Sequence, residues 1–509
     1  MQNESGADGK SPAVSSKSFE KKVILLLSLF AAIRVFIFSA AFPFFNNVDE
    51  LMHFDLIMKY SDGHVPRKVE TISADSAGYI TLFYSSAYIR SPADFPDGKF
   101  PPPLWTMPKE EIGRILSANI TAWQTQKNYE VAQAPLHYVL EAVWWHLGRC
   151  LGVPDGRLLY WLRFFNVVLL IALVWLAYAT ARIVFPENLF IRLAVPALLA
   201  FMPQSSFYSL GNDVLSAVCF GITFICLLKW LSSEKSSPQL SAASGLAVAA
   251  TFLTKITNLP LLAITAVVVL FKVLQSIRNG KAGGVMLDLA IFLGCALPFI
   301  FGWMIWCKLN FGDLTGSKPN SDYFGWTVKP FSEWWHHPIF SPAGVWTYLS
   351  GQVGTLWQGE FYWWNKPMSL PGSEAVYTIL TAALLVVVLP ALWPQFSRVT
   401  PPQRRALQIS MLCFAALLVF FALLSVVYDF NNSYNPSRQH PYFREGRLLL
   451  GALIPFLLLI AYGLDRAFSR FGNVAKFSAL AVMISLMLAC EIVTDWPVFP
   501  NPYNWYHLP

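Results

Sequence analysis

Hydrophobic and polar positions along this chain separate into long blocks. Apolar runs fall at roughly 22–42, 134–151, 160–183, 193–210, 213–231, 240–254, 258–273, 285–307, 374–394, 407–428, 447–464 and 474–493. Most approach the ~20 residues that a helix needs to cross a bilayer. The pattern predicts an all-α polytopic membrane protein with two long polar loops.

Charge decides how many of the twelve runs cross. With a cytoplasmic amino terminus and twelve crossings, the basic turns Arg182/Arg192, Lys229/Lys235 and Arg278/Lys281 face outward, and the loop 308–373, poor in basic residues, faces inward. Short cytoplasmic loops carry the excess of Lys and Arg, so this count is wrong by one. The run at 134–151, APLHYVLEAVWWHLGRCL, is short and contains His137, Glu141, His146, Arg149 and two tryptophans. That is the make-up of a helix lying in the headgroup region. Demoting it leaves eleven expected spans, with 43–159 as one extracytoplasmic segment of juxtamembrane helices. Three parts result: a disordered cytoplasmic tail at 1–21, a transmembrane unit at 22–464 that includes the outer loops 43–159 and 308–373, and a last span with its outer tail at 465–509. Lys272/Arg278/Lys281, Arg398/Arg404/Arg405 and Arg466/Arg470/Lys476 then fall in cytoplasmic turns.

Composition agrees. The chain is 55% hydrophobic and 13% charged, too little charge to clothe a soluble globule of 509 residues. Its net charge of +7 is spread over the edges of apolar runs and gives no reason to invoke nucleic acid. All seven cysteines lie in or beside apolar segments and read as buried small hydrophobes.

With eleven spans, polar residues scattered over 400 positions gather at the outer face. Asp49 and Glu50, just after the first span, suit a general base or a divalent-cation site (Mg²⁺ or Mn²⁺); a cap for the helix starting at Leu51 explains Asp49 as well. His53 shares the face of Asp49 at i, i+4 and reads as an orienting group or a ligand. Lys255 is a lone cation in a tight outward turn, fit to neutralise a phosphate or to reach lipid headgroups. Arg163, Arg444 and Arg447 have the same two readings, and the last two could share one anion at i, i+3 if a helix begins there. Asn212 and Asp213 suit a cavity lining or a helix cap. Gln133 and Tyr138, at the start of the interfacial helix, suit substrate contact or anchoring. The aromatic run at 355–364, with Glu360 a candidate second acid, fits an interfacial belt or sugar stacking.

The order Asp49-Glu50-x-x-His53-Phe54, Gln133-x-Pro135-Leu136-x-Tyr138, Arg163-x-x-Asn166, Asn212-Asp213, Thr254-Lys255-x-Thr257 and Gly446-Arg447 resembles the GT-C superfamily of membrane glycosyltransferases. Within it the pattern is similar to a bacterial branch near the dolichyl-phosphate-mannose protein mannosyltransferases. The usual His-Pro-Pro of the juxtamembrane helix is here Gln133-Ala134-Pro135. The resemblance implies transfer of a sugar from a polyprenyl-phosphate donor to an acceptor hydroxyl on a glycan, lipid or protein, with inversion, at the outer face of a bacterial inner membrane. It implies Asp49 as base with Glu50 assisting, and Lys255 with Arg163 or Arg447 on the donor phosphate. No cofactor is required, and a divalent cation is compatible. The rival from another class is a transporter or flippase of lipid-linked sugars, which would favour paired repeats and ionisable groups at mid-membrane depth.

Overall fold

The structure is a computed structural model that describes residues 12–47, 49–233, 235–280, 282–396, 399–431, 433 and 435–508. Its helices are α1 (Pro12–Ala41), α2 (Glu50–Ser61), α3 (Ala74–Phe83), α4 (Lys109–Trp123), α5 (Leu136–Cys150), α6 (Asp155–Val184), α7 (Leu189–Ala200), α8 (Asp213–Ser232), α9 (Pro238–Thr254), α10 (Leu259–Arg278), α11 (Ala282–Phe311), α12 (Lys318–Phe324), α13 (Phe331–Trp334), α14 (Pro342–Gln358), α15 (Ser373–Val388), α16 (Pro401–Val427), α17 (Leu453–Ala467) and α18 (Gly472–Asp495).

Among the described residues nine helical segments are long and apolar enough to cross a membrane, on α1, α6, α8, α10, α11, α15, α16, α17 and α18. The runs at 193–210 and 240–254 form shorter helices. α9 has 17 residues and α7 has 12, with Pro196 inside it. At 1.5 Å per residue α7 covers about 18 Å, short of a ~30 Å hydrocarbon core. The chain then continues through a 3-10 turn at Ser205–Phe207 to the head of α8.

Side-chain contacts show which end each helix reaches. α6 starts beside the end of α1, where the Tyr160 hydroxyl donates to the Phe42 carbonyl at 3.3 Å and to Tyr503 of the carboxyl-terminal tail at 2.9 Å. It finishes at the other end, where the Tyr178 hydroxyl and Arg192 both reach Glu20 of α1, at 3.1 and 2.7 Å. Late in α10, Lys272 donates to the Ser233 carbonyl just past α8 at 2.6 Å. Phe185, past α6, stacks on Tyr462 near the end of α17 at 5.5 Å. Thus α1, α6, α8, α10 and α17 run between the two ends of the bundle, and with α7 and α9 too short, nine candidate spans stand among the described residues where eleven were expected. α5 does not run end to end. It packs along α2 and turns back to the head of α6, where the Trp144 and Trp161 indoles each donate to the other's carbonyl, at 2.7 and 2.8 Å. α17 is the central helix, with 94% of its apolar window buried, whereas α11, at 22%, turns most of its surface outward.

Four expectations change. α1 begins at Pro12, inside the stretch read as a disordered tail; residues 1–11 of that tail, and Lys281 and Arg398 of the basic turns, lie outside the described residues. Cys150 is exposed and Cys226 and Cys295 half-buried, because they sit on outward helix faces. Much of the aromatic run is core: Trp357, Phe361 and Trp363 are buried and the Trp357 indole donates to Thr381 at 2.9 Å, while Trp364 is exposed. Arg444 and Arg447 do not share a helical face, because the 3-10 helix starts at Gly446 and leaves Arg444 in the preceding loop.

Candidate active site

Asp49 closes the turn between α1 and α2 with φ at 62°, in the left-handed region. A non-glycine residue there costs about 1–3 kcal/mol and persists only where its surroundings impose it. Its main-chain carbonyl starts α2 by accepting from the Met52 and His53 amides at 2.9 and 3.0 Å, while its side chain caps nothing. Oδ1 accepts instead from the Tyr129 hydroxyl at 2.8 Å, and Oδ2 from Arg447 Nη2 at 2.9 Å. The strain therefore aims the carboxylate away from the helix and toward a cation.

Glu50 and Arg163 play a different part from the one expected of them. Both side chains are fully buried, joined by Arg163 Nε and Nη2 to the two Glu50 oxygens at 2.7 Å each. The other Arg163 donors go to the carbonyls of Ser39, Phe42 and Pro43, and Glu50 also accepts from the amides of Phe45 and Leu210. No face of Arg163 remains for a donor phosphate, and Glu50 has no free oxygen for proton transfer. The pair ties the end of α1, the head of α2 and α6 into one unit. Among the described residues no group of three or more His, Cys, Asp and Glu is arranged to hold a metal.

Arg447 is placed by close backbone packing. A Cβ on Gly446 would lie 2.0 Å from the Leu356 amide nitrogen, so only glycine lets this 3-10 helix meet α14. Past α14, Gly359 has φ of 78° and a Cβ there would lie 2.4 Å from the Ser205 nitrogen. The turn delivers Glu360, which accepts from the Arg447 amide at 3.2 Å and lies 3.5 Å from Arg447 Nε. Arg447 thus bridges Asp49 and Glu360. Arg444 instead lies over Gly351 of α14 with Glu374 at 3.5 Å, so it is not a partner of Arg447 in holding an anion.

Lys255, extended between α9 and the 3-10 turn Ile256–Asn258, pairs with Asp213, the first residue of α8. The Asn212 amide donates to the Thr254 carbonyl at 3.2 Å and to Gln133 at 3.3 Å, and Gln133 donates to Glu130. His53 Nδ1 and the Tyr138 hydroxyl lie 2.8 Å apart. His53, Asp213, Glu360 and Arg447 line one narrow pocket with Asn47, Ser205, Ser206 and Ser209. Tyr129, Glu130 and these serines were not singled out from sequence. Glu130, three residues before Gln133, had a signal in that spacing; the serines had none.

Burial pulls the Asp49 carboxyl upward, but Arg447 and the hydrogen bonds from Arg447 and Tyr129 outweigh it, leaving it below the usual carboxylate range. Burial pushes Glu360 up to about 8 and, with Asp49 nearby, Glu130 up to about 7. Burial also drives His53 down to about 4, so its ring is neutral at neutral pH. Asp49 with its lowered value and Glu130 and Glu360 with raised ones therefore stand near Arg447 and the Lys255–Asp213 pair.

Residues 32–433 match the family described as "Predicted membrane protein (DUF2142)". The chain belongs to that family. Comparison with curated proteins gives no match. Among solved structures this DUF2142 protein is similar to ArnT from Cupriavidus metallidurans bound to undecaprenyl phosphate, at 12% identity over 92% of this chain and 64% of that one, with a TM-score of 0.46. It is also similar to the archaeal oligosaccharyltransferase AglB from Archaeoglobus fulgidus in complex with an inhibitory peptide and a dolichol-phosphate, at 13% identity over 96% of this chain and 57% of that one, with a TM-score of 0.43. The chain spans less than two thirds of the length of either.

Proposed function

We propose that this protein is a GT-C-type glycosyltransferase that moves a sugar from a polyprenyl-phosphate carrier to an acceptor hydroxyl at the extracytoplasmic face of a bacterial inner membrane. The observation that carries the reading is the strained Asp49, whose carboxylate is turned from its helix onto Arg447, which lines the pocket together with Glu360. The acceptor oxygen attacks the anomeric carbon from the face opposite the phosphate, its proton passes to Asp49, and the bond from that carbon to the phosphate oxygen breaks. Attack from that side inverts the centre. Asp49 is a weak base, yet it suffices here, because the attacking hydroxyl becomes strongly acidic as its bond to carbon forms. Lys255 and Arg447 hold the departing phosphate, whose charge grows in the transition state. A neutral Glu360 leaves the charge of Arg447 shared with Asp49 alone. His53, Tyr138, Asn212, Asp213 and Gln133 shape the pocket, and its serines suit sugar hydroxyls. The reaction so written requires no metal.

One observation favours the rival transporter: Arg34, Tyr208 and Glu491 form a buried polar cluster within the membrane-spanning layer. Purified protein incubated with polyprenyl-phosphate sugars separates the two readings. Release of polyprenyl phosphate that Asp49→Asn abolishes is the expected result. Movement of intact donor across a bilayer without cleavage overturns it.

A further inference from the structure

Two cavities lie at the end of the bundle opposite Asp49. α8 runs from Asp213 beside Lys255 to Ser232 at this far end, about 30 Å away at 1.5 Å per residue. One cavity, of 330 Å³, opens between the ends of α6, α8 and α10 and the start of α16; the other, of 380 Å³, lies between the end of α10 and the start of α11. Ser233, Lys272 and Ser276 line both, so the two adjoin. Each is within the size range of small-molecule sites.

The lining is divided by chemistry. Lys272, Arg405 and Lys235 bring cations, and the serines bring hydroxyl donors. Lys272 is fixed by its hydrogen bond to the Ser233 carbonyl, and Arg405 makes no ion pair among the described residues. Asp288, the carboxylate in the second cavity, is occupied by the Ser236 hydroxyl at 2.8 Å and the Ser237 amide at 3.1 Å. Val184, Leu228 and Leu231 form an apolar wall to the first cavity. Beyond it Leu270, Phe271, Leu274 and Ile277 of α10 are exposed on the outside of the bundle, as residues facing lipid tails are. Cations above an apolar wall match a phosphate carrying acyl chains better than a soluble phosphate. Basic pockets between spans recognise lipid headgroups in this way.

We infer that this cavity pair binds an anionic phospholipid, its phosphate between Lys272 and Arg405 and its chains against Val184, Leu228 and Leu231. The site is separate from the proposed transfer reaction and does not depend on it. Native mass spectrometry of the full chain in detergent, titrated with phosphatidylglycerol or phosphatidylcholine, tests it. Phosphatidylglycerol is retained in preference, and Arg405→Gln weakens retention about fivefold, the effect of one basic residue near an anionic headgroup. Arg466→Gln, which removes a cation outside the cavities, changes nothing. Ser276→Leu fills the shared wall without altering charge and displaces the lipid even if Arg405→Gln fails to fold. Equal retention of the two lipids, or retention unaffected by Ser276→Leu, overturns the inference. Displacement of phosphatidylglycerol by millimolar inorganic phosphate assigns the site to a soluble anion and overturns it also.

Discussion

Asp49 and Glu50 are neighbours in sequence with opposite fates, and variants should separate them. Asp49 sits at the pocket with its carboxylate on Tyr129 and Arg447, so Asp49→Asn keeps the fold and lowers the transfer rate by roughly 10²–10⁴, the range of a general base. Glu50→Gln leaves the buried Arg163 charge unbalanced, which costs about 3–5 kcal/mol. It should appear as a lower unfolding temperature in detergent and a poor yield of folded protein, whatever the substrate. Equal stability of the two variants would sink the division of labour. Glu360 gives a second test. Raised to about 8 by burial, it carries its proton at neutral pH and loses it as pH rises through that value, placing a new negative charge beside Arg447 and the donor phosphate. Donor KM should therefore climb above pH 8, and Glu360→Gln should flatten the climb; a profile unchanged by that substitution removes Glu360 from the donor site. His53 titrates in the other direction. Its folded value, about 4, lies below the ordinary 6.5, so its contribution to stability is complete above 6.5 and is lost as pH falls toward 4. Thermal unfolding in detergent should show less acid destabilisation in His53→Gln than in the unaltered protein.

At the scale of elements, the pocket depends on turns that admit no side chain. Gly446→Ala would drive a methyl group into the Leu356 amide and move the 3-10 helix that carries Arg447. The expected outcome is a loss of activity comparable to that of Arg447→Gln together with a lower unfolding temperature, measured on one preparation by donor hydrolysis and by thermal scanning. Nine of the apolar runs were legible as spans because lipid imposes a long unbroken apolar signal, and charge bias along the chain singled out α5, which is not among the candidate spans. Two kinds of feature were not legible. Pro196 and the irregular backbone after α7 shorten a run that hydropathy alone reads as a full crossing. Side-chain pairing across hundreds of residues was the other: Arg163, Arg444 and Arg447 look alike as lone arginines near spans. Only the fold shows the first sealed against Glu50, the second beside Glu374 and the third on Asp49.

At the scale of the whole molecule, the question is which compartment the pocket faces, and the fold ties several distant segments to one answer. Asp49 follows the end of α1, and the tail after α18 folds back on that same end through the Tyr160 hydroxyl on the Tyr503 carbonyl and the Tyr506 hydroxyl on the Ile37 carbonyl at 3.1 Å. The turn between α5 and α6 lies there too, next to the stacked Trp144 and Trp161 rings. The turn after α10 lies at the other end, beside Lys272. Because these segments meet at shared ends of one bundle, these positions cannot be assigned independently. Single cysteines at Pro154→Cys, Pro502→Cys and Asn279→Cys, each in a Cys150→Ser background, report the arrangement through a membrane-impermeant maleimide applied to intact cells. On the orientation that the basic turns predict, the first two should label from outside and the third only after the membrane is opened. Labelling of 154 and 502 from opposite sides would contradict the contact that holds the carboxyl-terminal tail against the head of α6. Labelling of both only from the cytosol, with 279 reached from outside, is the pattern of a crossing α5, and it would separate Asp49 from the residues after α5 and dissolve the proposed pocket.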